Sequence, residues 1–142
     1  ALMTTVAELS STDKVLVGTG SGYQAAVLGE IVREVYSIEI IETLARESNE
    51  LLNKLGYKNI HVKHGDGYQG WKEAAPFDAI LITAAAPKIP EPLLDQLKME
   101  GRLVMPLGKS RAPQELIALT KTENGLKKTC GGNCCICPND WR

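Results

Sequence analysis

A glycine-rich segment near the start of the chain has residue types that suit ligand binding. Gly18, Gly20 and Gly22 alternate with Thr19 and Ser21 between a predicted strand and a predicted helix. Glycines at such a junction permit a tight turn and close approach of the backbone to a ligand, and the start of the helix offers unpaired N–H groups to an anion. Taken alone, the motif is a weak signal, and an ordinary turn is the simpler interpretation.

Two acidic residues follow the next predicted strands. Glu39 ends one of them, and Asp66 with Gly67 comes directly after another. In open α/β sheets ligands bind at the carboxyl ends of the strands, where an acidic residue can accept both hydroxyls of a ribose. Asp66 could meet an exocyclic amine, although Asp-Gly alone is more often a turn. Together with the glycines, these residues predict a nucleoside-type cofactor.

The spacing of the glycines helps to choose the cofactor. A dinucleotide fingerprint has Gly or Ala three residues after its second glycine, so that helix and strand pack closely around a pyrophosphate. Tyr23 stands at that position in this chain. The G-x-G-x-G form therefore favours a cofactor without a pyrophosphate, such as S-adenosylmethionine, over NAD.

The elements that must position these residues follow an alternating pattern. Apolar runs and amphipathic stretches succeed one another, which predicts an α/β fold with a doubly wound, mostly parallel sheet of about six to seven strands, the last of them antiparallel. Glu-Asn-Gly at 123–125 predicts a hairpin turn, whereas the sequence after Lys128 continues no strand pattern. The predicted strands are 14–17, 35–38, 59–64, 78–83, 102–106 and 115–122, and the predicted helices are 23–32, 42–55 and 92–97.

Length and composition indicate a single domain over 1–142. A chain of 142 residues with 44% hydrophobic residues can bury one sizeable core. The net charge is -1 and no Lys/Arg run occurs, so we do not expect a nucleic-acid partner. The longest uncharged apolar stretch, 79–87, is far shorter than the roughly 20 residues of a membrane helix, and we expect no membrane partner.

The cysteines are confined to the tail at 129–142. They are Cys130, Cys134, Cys135 and Cys137. A secreted domain would normally distribute disulfides through its fold, so we expect a reducing, cytoplasmic setting. We assign no metal site to the tail and expect reduced thiols there.

Six segments resemble, in order, the motifs of the protein-L-isoaspartate O-methyltransferase family, which has the Rossmann-like fold of class I methyltransferases. Gly-Thr-Gly-Ser-Gly-Tyr-Gln-Ala-Ala stands at 18–26 and Val-Tyr-Ser-Ile-Glu at 35–39. The likeness runs from about Asp13 to Leu126, most of the chain. The other four segments are Gly-Asp-Gly-Tyr at 65–68, Ala-Pro-Phe-Asp-Ala-Ile at 75–80, Thr-Ala-Ala-Ala-Pro at 83–87 and Gly-Arg-Leu-Val at 101–104.

The resemblance implies methyl transfer from S-adenosylmethionine to the α-carboxylate of L-isoaspartyl residues in damaged proteins and peptides, followed by spontaneous closure to a succinimide. By position, the glycine loop would hold the methionine end, Glu39 the ribose, and Asp66 with Gly67 the adenine. The implied cofactor-binding residues are Gly18, Thr19, Gly20, Ser21, Gly22, Glu39, Asp66 and Gly67. The implied substrate-binding residues are Thr83, Ala84, Ala85 and Pro87.

This chemistry needs no general base, because a carboxylate is already an anionic nucleophile at neutral pH. Alignment and desolvation should supply most of the catalysis. We therefore assign no catalytic side chain. His61 and His64 lie on a predicted strand, and a structural role is the simpler interpretation of both.

Three features depart from the family pattern. The chain begins after the segment that carries the family's substrate loop, so we expect it to be incomplete at its N-terminus. Leu16 and Val17 lead straight into Gly18, one residue fewer than the family has, so either the strand or the loop must shift. The cysteine-rich tail replaces an apolar closing strand.

Two other functions stay open. A remnant that binds the cofactor without catalysis is the first, because the substrate loop is absent from the sequence. A nicotinamide-dependent oxidoreductase is the second, and Tyr23 argues against it.

Overall fold

Strands and helices alternate through the amino-terminal part of the chain. The computed structural model describes residues 9–18, 22–83, 88–107, 115–130 and 133–137. The strands are β1 Lys14–Gly18, β2 Glu34–Glu39, β3 Ile60–His64, β4 Phe77–Leu81, β5 Leu97–Leu107, β6 Glu115–Thr122, β7 Gly125–Cys130 and β8 Asn133–Cys137. The helices are α1 Tyr23–Gly29, α2 Glu42–Lys54 and α3 Glu91–Gln96, with 3₁₀ turns at Gly67–Gln69 and Lys72–Ala74.

The strands form one sheet whose two halves differ in direction. Its order is β3-β2-β1-β4-β5-β6-β7-β8. The pairs from β3 through β5 are parallel, and β6, β7 and β8 are added antiparallel. Because the parallel strands all point the same way, the segments that follow them meet at one edge of the sheet.

Helices cover both faces of this sheet. Val15 and Val17 of β1 pack in one buried cluster with Leu28 of α1. Leu16 packs in the other cluster with Leu93 of α3. Consecutive strand residues thus point to opposite layers, as the pleat requires. The predicted doubly wound, mostly parallel fold is confirmed.

The three central residues of β1 are buried. Val15, Leu16 and Val17 are each at most 3% exposed, so no apolar side chain of the strand is turned towards solvent. The strand ends at Gly18, which pairs with Ile38 of β2. Strand β1 thus keeps a regular alternation between the two layers up to Gly18.

Helix α2 shows how local sequence sets an element's ends. Glu42 opens the helix and Lys54 closes it, charges that oppose the helix dipole at each end. Gly56 follows with φ of 87°, the left-handed conformation that ends helices and that glycine adopts readily. The predicted helix 42–55 is confirmed to within one residue.

Strand β5 begins earlier than the predicted 102–106. Leu97 already pairs with Phe77, but the register then shifts and Arg102 pairs with Ala79. Glu100 lies inside this interruption with φ of 66°. A Cβ at Gly101 would lie 2.7 Å from the Lys98 carbonyl oxygen, so only glycine fits the tight bend. The periodicity of the sequence does not reveal such a bulge.

The carboxyl-terminal strands partly contradict the prediction. Thr122 pairs with Gly125, which confirms the hairpin at 123–125. The interpretation of the tail as lacking strand structure was wrong, because β8 pairs with β7. Cys130 pairs with Asn133, and the two residues between them in the sequence are Gly-Gly, a hairpin signal that the cysteines obscured. Within the described residues the sheet therefore has eight strands.

None of the helices in the described ranges has the length and apolar character needed to cross a bilayer.

Candidate functional site

A cavity opens at the carboxyl edge of the parallel strands. Its volume is about 280 Å³, near the lower end of the range for small-molecule sites. It lies where open α/β sheets bind ligands. The residues that line it are Leu16, Val17, Gly18, Ile38, Glu39, Ile40, Asp66, Gly67, Tyr68, Ile80, Leu81, Ile82, Thr83 and Leu93.

Five of the predicted site residues line this cavity, namely Gly18, Glu39, Asp66, Gly67 and Thr83. They come from segments that are distant in sequence and that the parallel strand order brings together. The other predicted residues, apart from Gly22, lie outside the described part of the chain. These are Thr19, Gly20, Ser21, Ala84, Ala85 and Pro87.

Gly18 keeps two strand ends close together at the rim. A Cβ at this position would lie 3.0 Å from Oγ1 of Thr83, the residue that follows β4 by two positions. This contact is tighter than most side chains tolerate. The absence of a side chain at Gly18 thus lets β1 and β4 end side by side at the cavity.

Gly22 has a different position from Gly18. It is buried at the start of α1 with φ of 87°, and it is absent from the cavity lining. A Cβ there would lie 3.6 Å from Cβ of Ser48 on α2. The glycine is therefore explained by its left-handed backbone and its packing against α2.

Glu39 ends β2 and is half-buried at the cavity wall. Its Oε1 accepts a hydrogen bond from the backbone N–H of Ile41 at 3.1 Å. Its carbonyl oxygen accepts from the N–H of Gly65 at 2.9 Å. The ring Nε2 of His64 lies 3.0 Å from the carbonyl oxygen of Ile40. These contacts join the segments that follow β2 and β3.

Asp66 and Gly67 form the part of the wall that follows β3. Oδ1 of Asp66 accepts a hydrogen bond from the N–H of Tyr68 at 2.9 Å and so caps the 3₁₀ turn Gly67–Gln69. Asp66 and Gly67 thus belong to a turn and also line the cavity. The turn fixes the direction in which this part of the wall faces.

The two histidines serve the fold. The ring of His61 stacks on that of Tyr36 with 4.8 Å between centroids. His64 contacts the backbone after β2, as described above. Neither ring lines the cavity.

The electrostatic character of the cavity is acidic. Glu39 and Asp66 are its two carboxylates, and no Lys, Arg or His stands among its described lining residues. Such a wall suits a cationic ligand and the hydroxyl and amine donors of a nucleoside. It offers no counter-charge for a pyrophosphate.

The apolar part of the lining was not predicted as site. It includes Ile38, Ile80, Ile82 and Leu93, which belong to a buried core cluster. Ile40 and Tyr68 flank the predicted acidic residues. The position of Ile40 directly after Glu39 is the one signal in the sequence that could have indicated it, since residues beyond a strand end lie at the binding edge.

Comparison with known proteins assigns the chain to a family. The model of the family described as protein-L-isoaspartate(D-aspartate) O-methyltransferase matches residues 1–135. Protein-L-isoaspartate O-methyltransferase 2 of Nitrosococcus oceani is 58% identical over 125 residues, which are 87% of this chain and 57% of that protein. Protein-L-isoaspartate O-methyltransferase of Gloeobacter violaceus is 50% identical over 127 residues, 89% of this chain and 62% of that protein.

Solved structures agree with the sequence comparison. A protein-L-isoaspartate O-methyltransferase superposes with a TM-score of 0.84 at 29% identity, covering 90% of this chain and 42% of that one. A Plasmodium falciparum structure has a TM-score of 0.67 at 24% identity, covers 96% of this chain and 68% of that one, and supports the fold alone. The chain thus spans little more than half the length of the curated relatives it matches. On the family match over residues 1–135, the chain belongs to the protein-L-isoaspartate O-methyltransferase family.

Proposed function

We propose that this chain binds S-adenosylmethionine in the cavity at the carboxyl edge and methylates the α-carboxylate of L-isoaspartyl residues in damaged proteins. The observation that carries the proposal is that Glu39 and Asp66 both line the cavity of about 280 Å³ and make its wall acidic. A relative that is 58% identical to this chain over 125 aligned residues is named for that activity. The Plasmodium falciparum neighbour is described as a complex with S-adenosyl-L-homocysteine.

Each predicted residue has a role in this proposal. Glu39 accepts the ribose hydroxyls, and Asp66 with Gly67 contacts the adenine. The loop from Gly18 to Gly22 holds the methionine end. The segment 83–87, containing Thr83, Ala84, Ala85 and Pro87, borders the isoaspartyl substrate. Residues 1–142 act as one cofactor-binding domain.

The chemistry that the cofactor supplies is an electrophilic methyl group on a positively charged sulfur. The chain's own contribution is to hold the cofactor and to orient it towards the substrate. Carboxylates at the wall favour a cation over a neutral ligand, and the apolar floor of Ile38, Ile80 and Leu93 excludes water from the reacting groups. No side chain needs to remove a proton, because the substrate carboxylate is already ionised.

Binding of the cofactor without catalysis is the second candidate function, because this chain matches only part of each relative's length. The chain spans 57% of its Nitrosococcus oceani relative, whose name describes the activity of the whole protein. A nicotinamide cofactor is disfavoured, because the described cavity lining carries no basic residue for a pyrophosphate.

Two assays separate these functions. Calorimetric titration compares S-adenosylhomocysteine with NAD, and transfer of labelled methyl groups to an isoaspartyl peptide measures catalysis. We expect the homocysteine compound to bind and the peptide to be labelled. Binding without labelling would favour the non-catalytic function, and binding of NAD alone would overturn the choice of cofactor.

The role of Glu39 has its own test. We expect Glu39→Ala to weaken S-adenosylhomocysteine binding by about 1–3 kcal/mol, the scale of a charge-assisted hydrogen bond. Glu34→Ala is the matched control, because it removes an acidic side chain at the opposite end of the same strand. We expect the control to bind as the wild type does. Equal dissociation constants for all three proteins would show that Glu39 does not touch the ligand.

We also propose a cytoplasmic location and protein or peptide substrates, without nucleic-acid or membrane partners. The concentration of all cysteines at 130–137 supports a reducing compartment for the body of the domain.

A further inference from the structure

Gln96 is a buried polar side chain next to the cavity wall. It is the last residue of α3 and is 5% exposed. Its Oε1 accepts a hydrogen bond from the N–H of Trp71 at 2.8 Å, and its Nε2 donates to the carbonyl oxygen of Gln69 at 2.9 Å. The side-chain amide therefore spans the two residues on either side of Gly70.

The two hydrogen bonds require both a donor and an acceptor on one side chain. A primary amide has both, whereas a carboxylate only accepts and an apolar side chain does neither. Both hydrogen bonds are partly buried, so loss of the amide removes the protein partner of each backbone group. Such unpaired groups are costly when buried.

Gly70 is shaped to receive this amide. Its φ of 68° lies in the left-handed range, and it is buried. A Cβ at Gly70 would lie 2.2 Å from Oε1 of Gln96 and 2.7 Å from its Cδ. A side chain at position 70 would therefore overlap the amide, and only glycine leaves room for it.

The segment held by Gln96 is continuous with the cavity wall. Asp66 caps the turn Gly67–Gln69, and the N–H of Gly70 donates to the carbonyl oxygen of Gly67 at 3.2 Å. Asp66, Gly67 and Tyr68 line the cavity. The turn is therefore fixed at its start by its own cap and at its end by Gln96.

The helix that carries Gln96 is fixed as well. Nζ of Lys121, on β6, donates to the carbonyl oxygens of Leu94 at 2.9 Å and Leu97 at 3.0 Å. Leu93, on the same helix, is buried and lines the cavity floor. One short helix thus supplies part of the floor and also holds part of the wall.

We propose that Gln96 is a positioning residue for the cofactor: its amide sets the distance between the 66–68 wall and the cavity floor. This inference rests on the proposed function, since it assigns 66–68 to the adenosyl group. Gln96 acts through the turn and does not touch the ligand.

The test compares three proteins by calorimetric titration with S-adenosylhomocysteine. Gln96→Glu keeps the side-chain length and the acceptor but loses the donor. Asn59→Asp is the matched control, because it also removes an amide donor to the backbone, in this case to the carbonyl oxygens of Gly29 at 2.9 Å and Val32 at 3.3 Å, away from the cavity. We expect Gln96→Glu to raise the dissociation constant roughly threefold to tenfold, and Asn59→Asp to leave it unchanged.

A second variant and a second measurement distinguish loss of the Gln96 contact from misfolding of Gln96→Glu. Gly70→Ala should displace the amide from the opposite side, and its effect on binding should not add to that of Gln96→Glu, because both break the same contact. Amide hydrogen exchange at Trp71 should be faster in Gly70→Ala than in the wild type, since the displaced amide no longer accepts from the N–H of Trp71.

The outcomes separate the inference from the proposed function. If the wild type binds and Gln96→Glu binds equally well, the positioning role is overturned and the proposed function stands. If Asn59→Asp weakens binding as much as Gln96→Glu does, the effect is general destabilisation and the positioning role is again overturned. A wild-type chain that does not bind the compound overturns the proposed function and this inference together.

Discussion

The two ends of the parallel strands use the same residue types in opposite ways. At the amino end, Oδ2 of Asp78 accepts a hydrogen bond from the N–H of Lys14 at 2.9 Å, and Nζ of Lys14 donates to the carbonyl oxygen of Ala74 at 2.6 Å. At the carboxyl end, Glu39 and Asp66 line a cavity. An acidic side chain joins strands at one end and faces a ligand-sized space at the other.

The difference shows that position in the sheet decides what a carboxylate does. Asp78 holds β1 and β4 together because the strands pair directly there. Glu39 is the last residue of β2 and lines the cavity at the carboxyl ends of the strands. We therefore expect substitutions at the amino end to change stability and those at the carboxyl end to change binding.

The largest expected effect is at Phe77, the fully buried aromatic residue that begins β4. Phe77→Ala should lower the free energy of unfolding by about 3–5 kcal/mol, because it leaves a cavity in the core. Ile40, which is 68% exposed beside the cavity, is the contrast. Ile40→Ala should change the same quantity by less than about 1 kcal/mol. Urea denaturation measures both, and equal losses would remove the distinction between the two ends.

An intermediate effect is expected at Asp78. Asp78→Ala should destabilise the chain by about 1–3 kcal/mol, because the partly buried N–H of Lys14 loses its acceptor. Lys98→Met is the control, since it removes only the exposed ion pair with Asp78 at 3.5 Å and should cost less than about 1 kcal/mol. Neither change should alter binding of S-adenosylhomocysteine. If the folded fraction of Asp78→Ala bound S-adenosylhomocysteine more weakly than the wild type, the amino end of the strands would also affect binding, contrary to this expectation.

The smallest effect is expected at Gly18. Gly18→Ala should cost about 1 kcal/mol of stability, because the added methyl group meets Oγ1 of Thr83 at 3.0 Å and Thr83 is exposed enough to move. The displaced Thr83 should also weaken ligand binding. In a Thr83→Ala background, where that oxygen is absent, the added cost of Gly18→Ala should disappear. Persistence of the full cost in the double variant would show that the backbone of Gly18, not its neighbour, is responsible.

The sequence could predict the meeting of Gly18 and Glu39 for a simple reason. Each of these residues is the last one of a strand, and the strands alternate with helices. Parallel strands have their carboxyl ends at one edge of the sheet. The fold class follows from the same alternation. These inferences need only local pattern and strand direction.

Other features depend on contacts that no local pattern encodes. Gln96 lies in a predicted short helix, and nothing near it in sequence indicates that its amide meets Gln69 and Trp71. The bulge at Glu100 and Gly101 likewise results from register between β4 and β5. Strand β8 was not predicted because residues 133–137 show no alternation of polar and apolar side chains, and the strand is defined by its pairing with β7.

The ammonium group of Lys121 has a consequence for how far this chain can be shortened. It connects the antiparallel half to α3 through the carbonyl oxygens of Leu94 and Leu97. A fragment that stopped after β5 would retain every described residue of the cavity lining. It would lack the Lys121 ammonium group, which donates to the carbonyl oxygens at the end of α3. The antiparallel strands are thus part of the smallest unit that can be expected to keep the pocket in shape.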